Sequence, residues 1–257
     1  MISVVTAYYN RKKLFYRTLQ SMTASVYKDF EVIAVDDASR EEERIEHLMN
    51  EFPFLKVIRV DPQDKWYMNS CMPFNMGIAK AKGDIVILQN PECMYVHDVF
   101  DYVIKNLTEH KYLTMSCYAI DQEHTDKILP FVNLEYILML PQQPARLYMG
   151  WYNHSVWNPS YFHFCSALTK SNMNKLGGFD ERFAEGIAYE DNEFLDRVKR
   201  LNLEIMIEDK ISVIHQWHPM VYNLQVATRL SELYNMNAYL HHSTKCEDIV
   251  HVVNSYI

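Results

Sequence analysis

The sequence predicts an α/β protein: a mostly parallel, mixed sheet flanked by helices. Two observations predict it. Residues 85–88, Ile-Val-Ile-Leu, are apolar on both parities and stop at Gln89-Asn90-Pro91-Glu92. Such a run reads as a strand buried on both faces, as in a parallel sheet, and Pro91 cannot continue its ladder. Runs of this kind also alternate with stretches of helical period through the first 120 residues, the order that gives a sheet covered on both faces. The six glycines form neither GxGxxG nor a Walker loop, which removes the dinucleotide and P-loop readings of the same alternation.

The elements follow in order. Residues 2–7 form the first strand. Asn10 is placed to cap a helix whose apolar positions are Leu14, Phe15, Leu19 and Met22, with Thr18 on the same face. Residues 30–35 form the second strand, ending in Asp36-Asp37-Ala38-Ser39. Ser39 and Glu42 have capping-box spacing, so a helix with Ile45, Leu48 and Met49 inward is expected next. Residues 55–60 form the third strand. A polar loop containing Trp66 and Asn69 leads to a helix over about 73–81, closed by Gly83. The run 85–88 is the fourth strand, 97–107 a helix and 113–120 a further strand. The alternation lapses over 121–160, which holds four prolines together with Trp151 and Trp157 and is expected to be an irregular, mobile segment over a cleft. Residues 162–169 read as a strand, 170–176 as a short helix, 191–201 as a helix, 211–215 as the last strand and 221–240 as a closing helix.

At 257 residues, 49% of them hydrophobic, the chain can bury a substantial core, and with no linker or repeat it is expected to form one domain. A formal charge of -8 without any basic block argues against nucleic acid and anionic membrane as partners. No apolar run is long enough to span a bilayer, and Met1 leads directly into a strand pattern with no signal peptide. Five scattered cysteines without a CxxC pair fit reduced thiols and a cytoplasmic location.

Three strand ends carry acids, amides or hydroxyls: Thr6, Tyr8 and Asn10; Asp36, Asp37 and Ser39; Asn90 and Glu92. Each has a plain structural account as a cap or a solvated turn. Together they line the carboxyl edge of the sheet, where open α/β sheets bind ligands. A fourth element, LGGFDERFAEGIAYEDNEFLDRVKRLNLEI over 176–205, adds the adjacent acids Glu190 and Asp191 at a helix start, where a cap needs only one.

This last segment resembles the GGFDE-x-F…ED-x-x-F-x-x-R region of GT-A glycosyltransferases of the family 2 type. TAYYNR, VDDAS, NMGIAKAKGD and the Asn90-Pro91-Glu92 position follow in the family's order, so the resemblance covers residues 2–92 and 162–218. It implies a single GT-A, Rossmann-like domain, with a nucleotide-sugar half over 1–120 and an acceptor and catalytic half with a C-terminal helix over 121–257. The implied activity is a metal-dependent, inverting hexosyl-type transfer from a nucleotide-sugar, with a leaning to UDP, to a glycan or glycoconjugate acceptor. Thr6, Tyr8, Asn10 and one of Asp36 and Asp37 would hold base and ribose, with Trp66, Asn69 and Asn75 near the nucleotide-sugar. Asn90-Pro91-Glu92 stands where the family has DxD, one negative charge short. Glu92, Asn90 and His215, with His218 as a second candidate, would hold a divalent cation, Mn²⁺ ahead of Mg²⁺. Asp191 would be the general base, with Glu190 beside it, and Trp151 would face the acceptor. A catalytically lapsed module that only binds nucleotide-sugar or glycan is the alternative, favoured by Asn90.

Overall fold

In the computed structural model, which describes residues 1–128, 150–219 and 227–256, nine strands among the described residues form one mixed sheet in the order β3-β2-β1-β4-β8-β6-β9-β5, with β7 paired to β6. The strands are β1 (Ile2–Tyr8), β2 (Phe30–Asp37), β3 (Leu55–Val60), β4 (Ile85–Gln89), β5 (Cys93–Tyr95), β6 (Lys111–Ala119), β7 (Trp151–Asn153), β8 (Cys165–Thr169) and β9 (Glu204–His215). β1 to β4 pair in parallel, and β8 then enters antiparallel between β4 and β6. The helices are α1 (Lys12–Met22), α2 (Cys71–Lys80), α3 (Val99–Asn106), α4 (Gln122–Lys127), α5 (Lys170–Leu176), α6 (Glu190–Arg200) and α7 (Ala227–Thr244).

Strand alternation sends neighbouring side chains to opposite layers. Val4 joins a core with Phe15 and Leu19 of α1, whereas Val5 joins one with Phe74 and Ile78 of α2 and Phe194 of α6. α2 lies so close to the sheet that a Cβ on Gly77 would stand 2.4 Å from Val5 Cγ1, which is why a glycine occupies that turn. α5 ends in the left-handed Gly177, and fully buried Arg197 ties that turn to α6. Its guanidinium donates to the carbonyls of Leu176 and Gly178 and to both carboxylate oxygens of Glu193. This explains the arginine of the ED-x-x-F-x-x-R segment as an internal tie.

Several expected elements differ. Asn10 does not cap α1: Arg11 holds that position without a side-chain cap, and Asn10 Oδ1 instead accepts from the Arg40 backbone N–H. The helix expected after Ser39 is two 3-10 turns, Glu41–Glu43 and Glu46–Asn50, with no side-chain cap, and Met49 is exposed. Ser39 makes no cap because its hydroxyl accepts from the Asn10 N–H. β5 begins two residues after Pro91, at Cys93. β9 begins at Glu204, and a shift in its pairing with β6 leaves residues 209–211 out of register, so Glu208-Asp209-Lys210 hid the first half of the strand. The segment 121–160 contains α4 and β7, and its expected mobility over 129–149 lies outside the described residues. The first part of the expected 221–240 helix lies outside them too, and α7 runs on to Thr244. No helix among the described residues is long and apolar enough to cross a membrane.

Candidate active site

The carboxyl ends of β1, β2 and β4 meet the start of α6 along one edge of the sheet. Glu92 lies in the tight connection between β4 and β5. Cys93 pairs with His215 across β5 and β9, and this register brings the last residue of β9 beside Glu92. His215 Nε2 is 3.0 Å and His218 Nε2 3.5 Å from Glu92 Oε1, while Arg11 Nη1 donates to Glu92 Oε2 at 2.7 Å. Burial alone would raise the pKa of Glu92. The Arg11 charge and the two imidazoles outweigh it and hold the carboxyl well below its ordinary value. Glu92, His215 and His218 offer ligand atoms within 4.8 Å of one another. With two imidazoles beside one carboxylate, the donors present suit a first-row transition-metal ion better than Ca²⁺ or Mg²⁺, which take oxygen ligands. The structure thus adds His218 to His215 instead of choosing between them. Half-buried Asn90 is tied through its backbone N–H to the carbonyl of Phe164.

The second group stands at the start of α6. Left-handed Tyr189 is the cap residue, Glu190 is the first helical residue and Asp191 the second, so Asp191 is not the N-cap. Buried Glu190 accepts from Asn69 Nδ2 at 2.8 Å and Ser70 Oγ at 3.2 Å. Burial and then the charge on Asp191 raise its pKa against the pull of the Asn69 amide. Asp191 keeps side-chain exposure of 30% and pairs through Oδ1 with buried His163 Nδ1 at 2.6 Å. Sequence reasoning passed over His163 and Arg11. Basic residues at the two ends of an acidic strand-end cluster were the signal for them, but only long-range contact reveals it.

Between the two groups runs the short stretch before β8. Phe164 bonds Asn90, and its ring lies 6.3 Å from that of His215, while its neighbour His163 meets Asp191. The acidic pair and the Glu92 cluster are therefore fixed to one another by two adjacent residues.

The remaining expected residues divide into open and enclosed. Asp37 is half-buried and accepts from Tyr67 Oη at 2.8 Å and Lys65 Nζ at 2.6 Å, and Lys65 also lies over the exposed Tyr9 ring. Trp66 is 61% exposed. Asp36 is enclosed, accepting from Arg59 at 2.7 Å and from the Ser39 N–H at 2.9 Å. Tyr8 is fully buried, its hydroxyl donating to the carbonyl of Glu43, and buried Thr6 Oγ1 has no hydrogen-bond partner among the described residues. Asn75 is fully buried, its amide bonding both the N–H and the carbonyl of Phe179, so the structure makes it a tie between α2 and the 177–179 turn, away from any open face. Trp151 is 7% exposed and packs on Tyr118 and His154. The indole with an open face in this region is that of Trp157.

The family model described as glycosyl transferase family 2 matches residues 3–160. The chain belongs to this family. Among solved structures, this family 2 chain resembles S. aureus TarS with 15% identity and a TM-score of 0.58, over 85% of this chain and 37% of TarS. A TarS 1–349 structure in complex with UDP-GlcNAc matches with 14% identity and a TM-score of 0.59, over 93% of this chain and 65% of that one. The mannosyltransferase PcManGT from Pyrobaculum calidifontis, in complex with GDP-Man and Mn²⁺, matches with 13% identity and a TM-score of 0.56, over 89% and 60%. The chain thus spans less than two thirds of each of these proteins, and at such identities the likeness establishes the shared α/β fold. The curated proteins include no match.

Proposed function

We propose that this family 2 glycosyltransferase is metal-dependent and inverting, and that it moves a sugar from a nucleotide-sugar, UDP-linked before GDP-linked, to a hydroxyl of a glycan or glycoconjugate. One juxtaposition carries the reading: a carboxylate with two imidazoles, and a pair of acids at a helix start, held together through His163 and Phe164. The nucleotide-sugars in the TarS and PcManGT complexes support the donor class.

Asp37, Tyr9 and Trp66 offer the open acceptor oxygens and ring faces for base and ribose. Asp191 takes the acceptor proton on Oδ2, since Oδ1 is occupied by His163. As that O–H bond breaks, the acceptor oxygen bonds to the anomeric carbon and the bond from that carbon to the diphosphate oxygen breaks. The nucleoside diphosphate leaves with the electron pair, and direct displacement inverts the centre. Glu92, His215 and His218 would hold the divalent cation, with Asn90 as a neutral oxygen donor, and its bound charge would stabilise the departing diphosphate. Burial and the charge on Asp191 raise the pKa of Glu190, so of the two acids Glu190 gives up its proton less readily than an ordinary glutamate.

Asn90 in place of a second acid favours the other reading, a module that binds nucleotide-sugar without transfer. Thermal shift and nucleotide release with UDP-GlcNAc, UDP-glucose, UDP-galactose and GDP-mannose, each with and without Mn²⁺, separate the two. An enzyme is stabilised by one donor and releases its nucleotide only with metal. A lapsed module is stabilised without release. Stabilisation by none of the four overturns the donor class.

A further inference from the structure

We infer that His163 is the positioning residue for Asp191: it fixes one carboxylate oxygen and leaves the other as the proton acceptor, and its positive charge keeps that acceptor ionised beside a second buried acid. The inference rests on the reading of Asp191 as general base and goes beyond it by assigning the group that makes the base competent.

The geometry comes first. Asp191 Oδ1 is buried and accepts no aligned hydrogen bond among the described residues; its ion-pair partner is His163 Nδ1 at 2.6 Å, and since the side chain as a whole is 30% exposed, the open oxygen is Oδ2. His163 is itself 6% exposed and has little freedom to swing. The Phe74 and Phe179 rings meet it edge to face at centroid distances of 4.8 and 5.0 Å, and Phe179 is pinned through its own backbone by Asn75. The imidazole thus sits in an aromatic slot with one polar contact among the described residues. A histidine placed only for packing in such a slot would be served by leucine or phenylalanine. A polar ring there is costly unless a partner of opposite charge stands beside it, and the atom nearest its Nδ1 is a carboxylate oxygen of the acid that faces the cleft.

Charge gives the second part. The charged groups acting on His163 are Asp191 and, behind it, Glu190, both from α6, while α2 and the 177–179 turn present it with neutral rings. Tyr112 of β6 also lies near Asp191, buried and protonated. Burial disfavours the imidazolium, but the two acids outweigh it and raise the His163 pKa. With His163 charged, the trio carries one positive charge against two acids. Without it, the two acids would face each other in a poorly solvated site with no counter-charge on that side.

Two variants separate anchoring from charge. His163→Leu fills the slot and removes both. His163→Asn keeps an N–H near the Nδ1 position and removes only the charge. Nucleotide release from the panel UDP-GlcNAc, UDP-glucose and UDP-galactose with Mn²⁺ is followed across pH. For His163→Leu, kcat should fall by about 10–100-fold, the range seen for outer-shell partners of site residues, with the donor KM unchanged. The acid limb of the rate profile should move to higher pH in both variants, and His163→Asn should recover most of the kcat. A substrate-free arm uses ¹⁵N NMR of the imidazole: the His163 titration should move to lower pH in Asp191→Asn. A purely structural role predicts an acid limb at its wild-type position and a His163 titration indifferent to Asp191→Asn, and either result overturns the inference. If Asp191→Asn releases nucleotide at the wild-type rate, the general-base reading falls and takes this inference with it. If Asp191→Asn is slow and His163→Leu leaves the limb in place, this inference alone falls.

Discussion

Glu92 and Glu190 are both buried glutamates at the same edge of one sheet, and their surroundings drive them in opposite directions. Around Glu92 stand a guanidinium and two imidazoles, and its pKa is held well below the ordinary value despite full burial. Around Glu190 stand an amide, a hydroxyl and another acid, and its pKa is raised. Desolvation is common to both, so the sign is decided by whether the neighbours bring counter-charge or only dipoles. One site thereby holds an anion suited to a cation, and the other a carboxyl that gives up its proton less readily than usual. The difference also reaches stability. The contribution of Glu92 is full above the ordinary unfolded value of about 4.3 and goes only as pH falls through its depressed folded value. Glu190 does the reverse: its contribution declines as pH rises from that ordinary value through its raised folded value.

The contrast breaks first in catalysis. Asp191→Asn preserves the helix start and the contact to His163, so it should leave melting temperature and UDP affinity near wild type while lowering nucleotide release by roughly 10²–10⁴-fold. A rate within a few-fold of wild type would remove Asp191 from the base role and leave Glu190 as the acid to test. Glu92→Ala should be the costliest change to the fold of the two glutamates. It strands Arg11 beside two imidazoles with no anion, an effect of about 3–5 kcal/mol for a broken buried pair. Calorimetric titration with Mn²⁺ and UDP should show no metal heat in that variant, and a wild-type isotherm would show that the cation binds elsewhere.

A gentler change tests the other half. Glu190→Gln keeps an oxygen for Asn69 and an amide for Ser70, and it removes a carboxyl that the folded state prefers protonated. Its melting temperature at pH 7–8 should exceed wild type by about 2–4 °C, the response of a domain this size to about 1 kcal/mol, with the gain vanishing near pH 4. A constant difference across pH would mean that Glu190 has no shifted titration. Ser70→Ala should have the smallest effect. It removes one 3.2 Å bond from a hydroxyl to a carboxyl oxygen, a loss of about 0.5 kcal/mol or slightly more. Urea unfolding resolves it, and a loss as large as that of Glu92→Ala would mean that Glu190 is as firmly anionic as its counterpart.

Much of this frame could be read from the chain. The strands β1, β2 and β4 announce themselves because both faces of each are buried, and α1 because its helical period is clean, whereas the helix expected after β2 is two 3-10 turns. Glu92, His215 and the Glu190-Asp191 pair stood out because acids at strand ends and at one helix start have few structural uses in such numbers. What stayed hidden is physical in kind. β5 is three residues long and carries no period, yet its pairing is what brings His215 to Glu92. β9 contains a charged bulge that interrupts its pattern. Asn75 and Asp36 look like ligand-facing residues, but an amide or carboxylate that ties two backbones together reads the same in one dimension as one that meets a substrate. His163 lies between two phenylalanines and shows its role only through Asp191, 28 positions later.

The loop that delivers the acid pair has its own anchor. Asn237, in the middle of α7, donates to the carbonyls of Phe183 and Ala188, and Gly186 passes so close that a Cβ would stand 2.1 Å from Asn237 Oδ1. Residues 183–188 are therefore held from one side by α7, through Asn237 and the Leu233 carbonyl, and from the other by the backbone N–H groups of Met68 and Asn69 on the Ala184 carbonyl. Local openings of a protein cost less free energy than global unfolding. Lifting α7 leaves the turn that ends at Tyr189 held from residues 68–69 alone, while the sheet, the Glu92 cluster and the slot around His163 stay closed. Amide protons at the start of α6 should then exchange in step with those of α7 and well ahead of β1. The acid pair would thus belong to a cooperative unit whose lifetime is set some 46 residues downstream of Asp191.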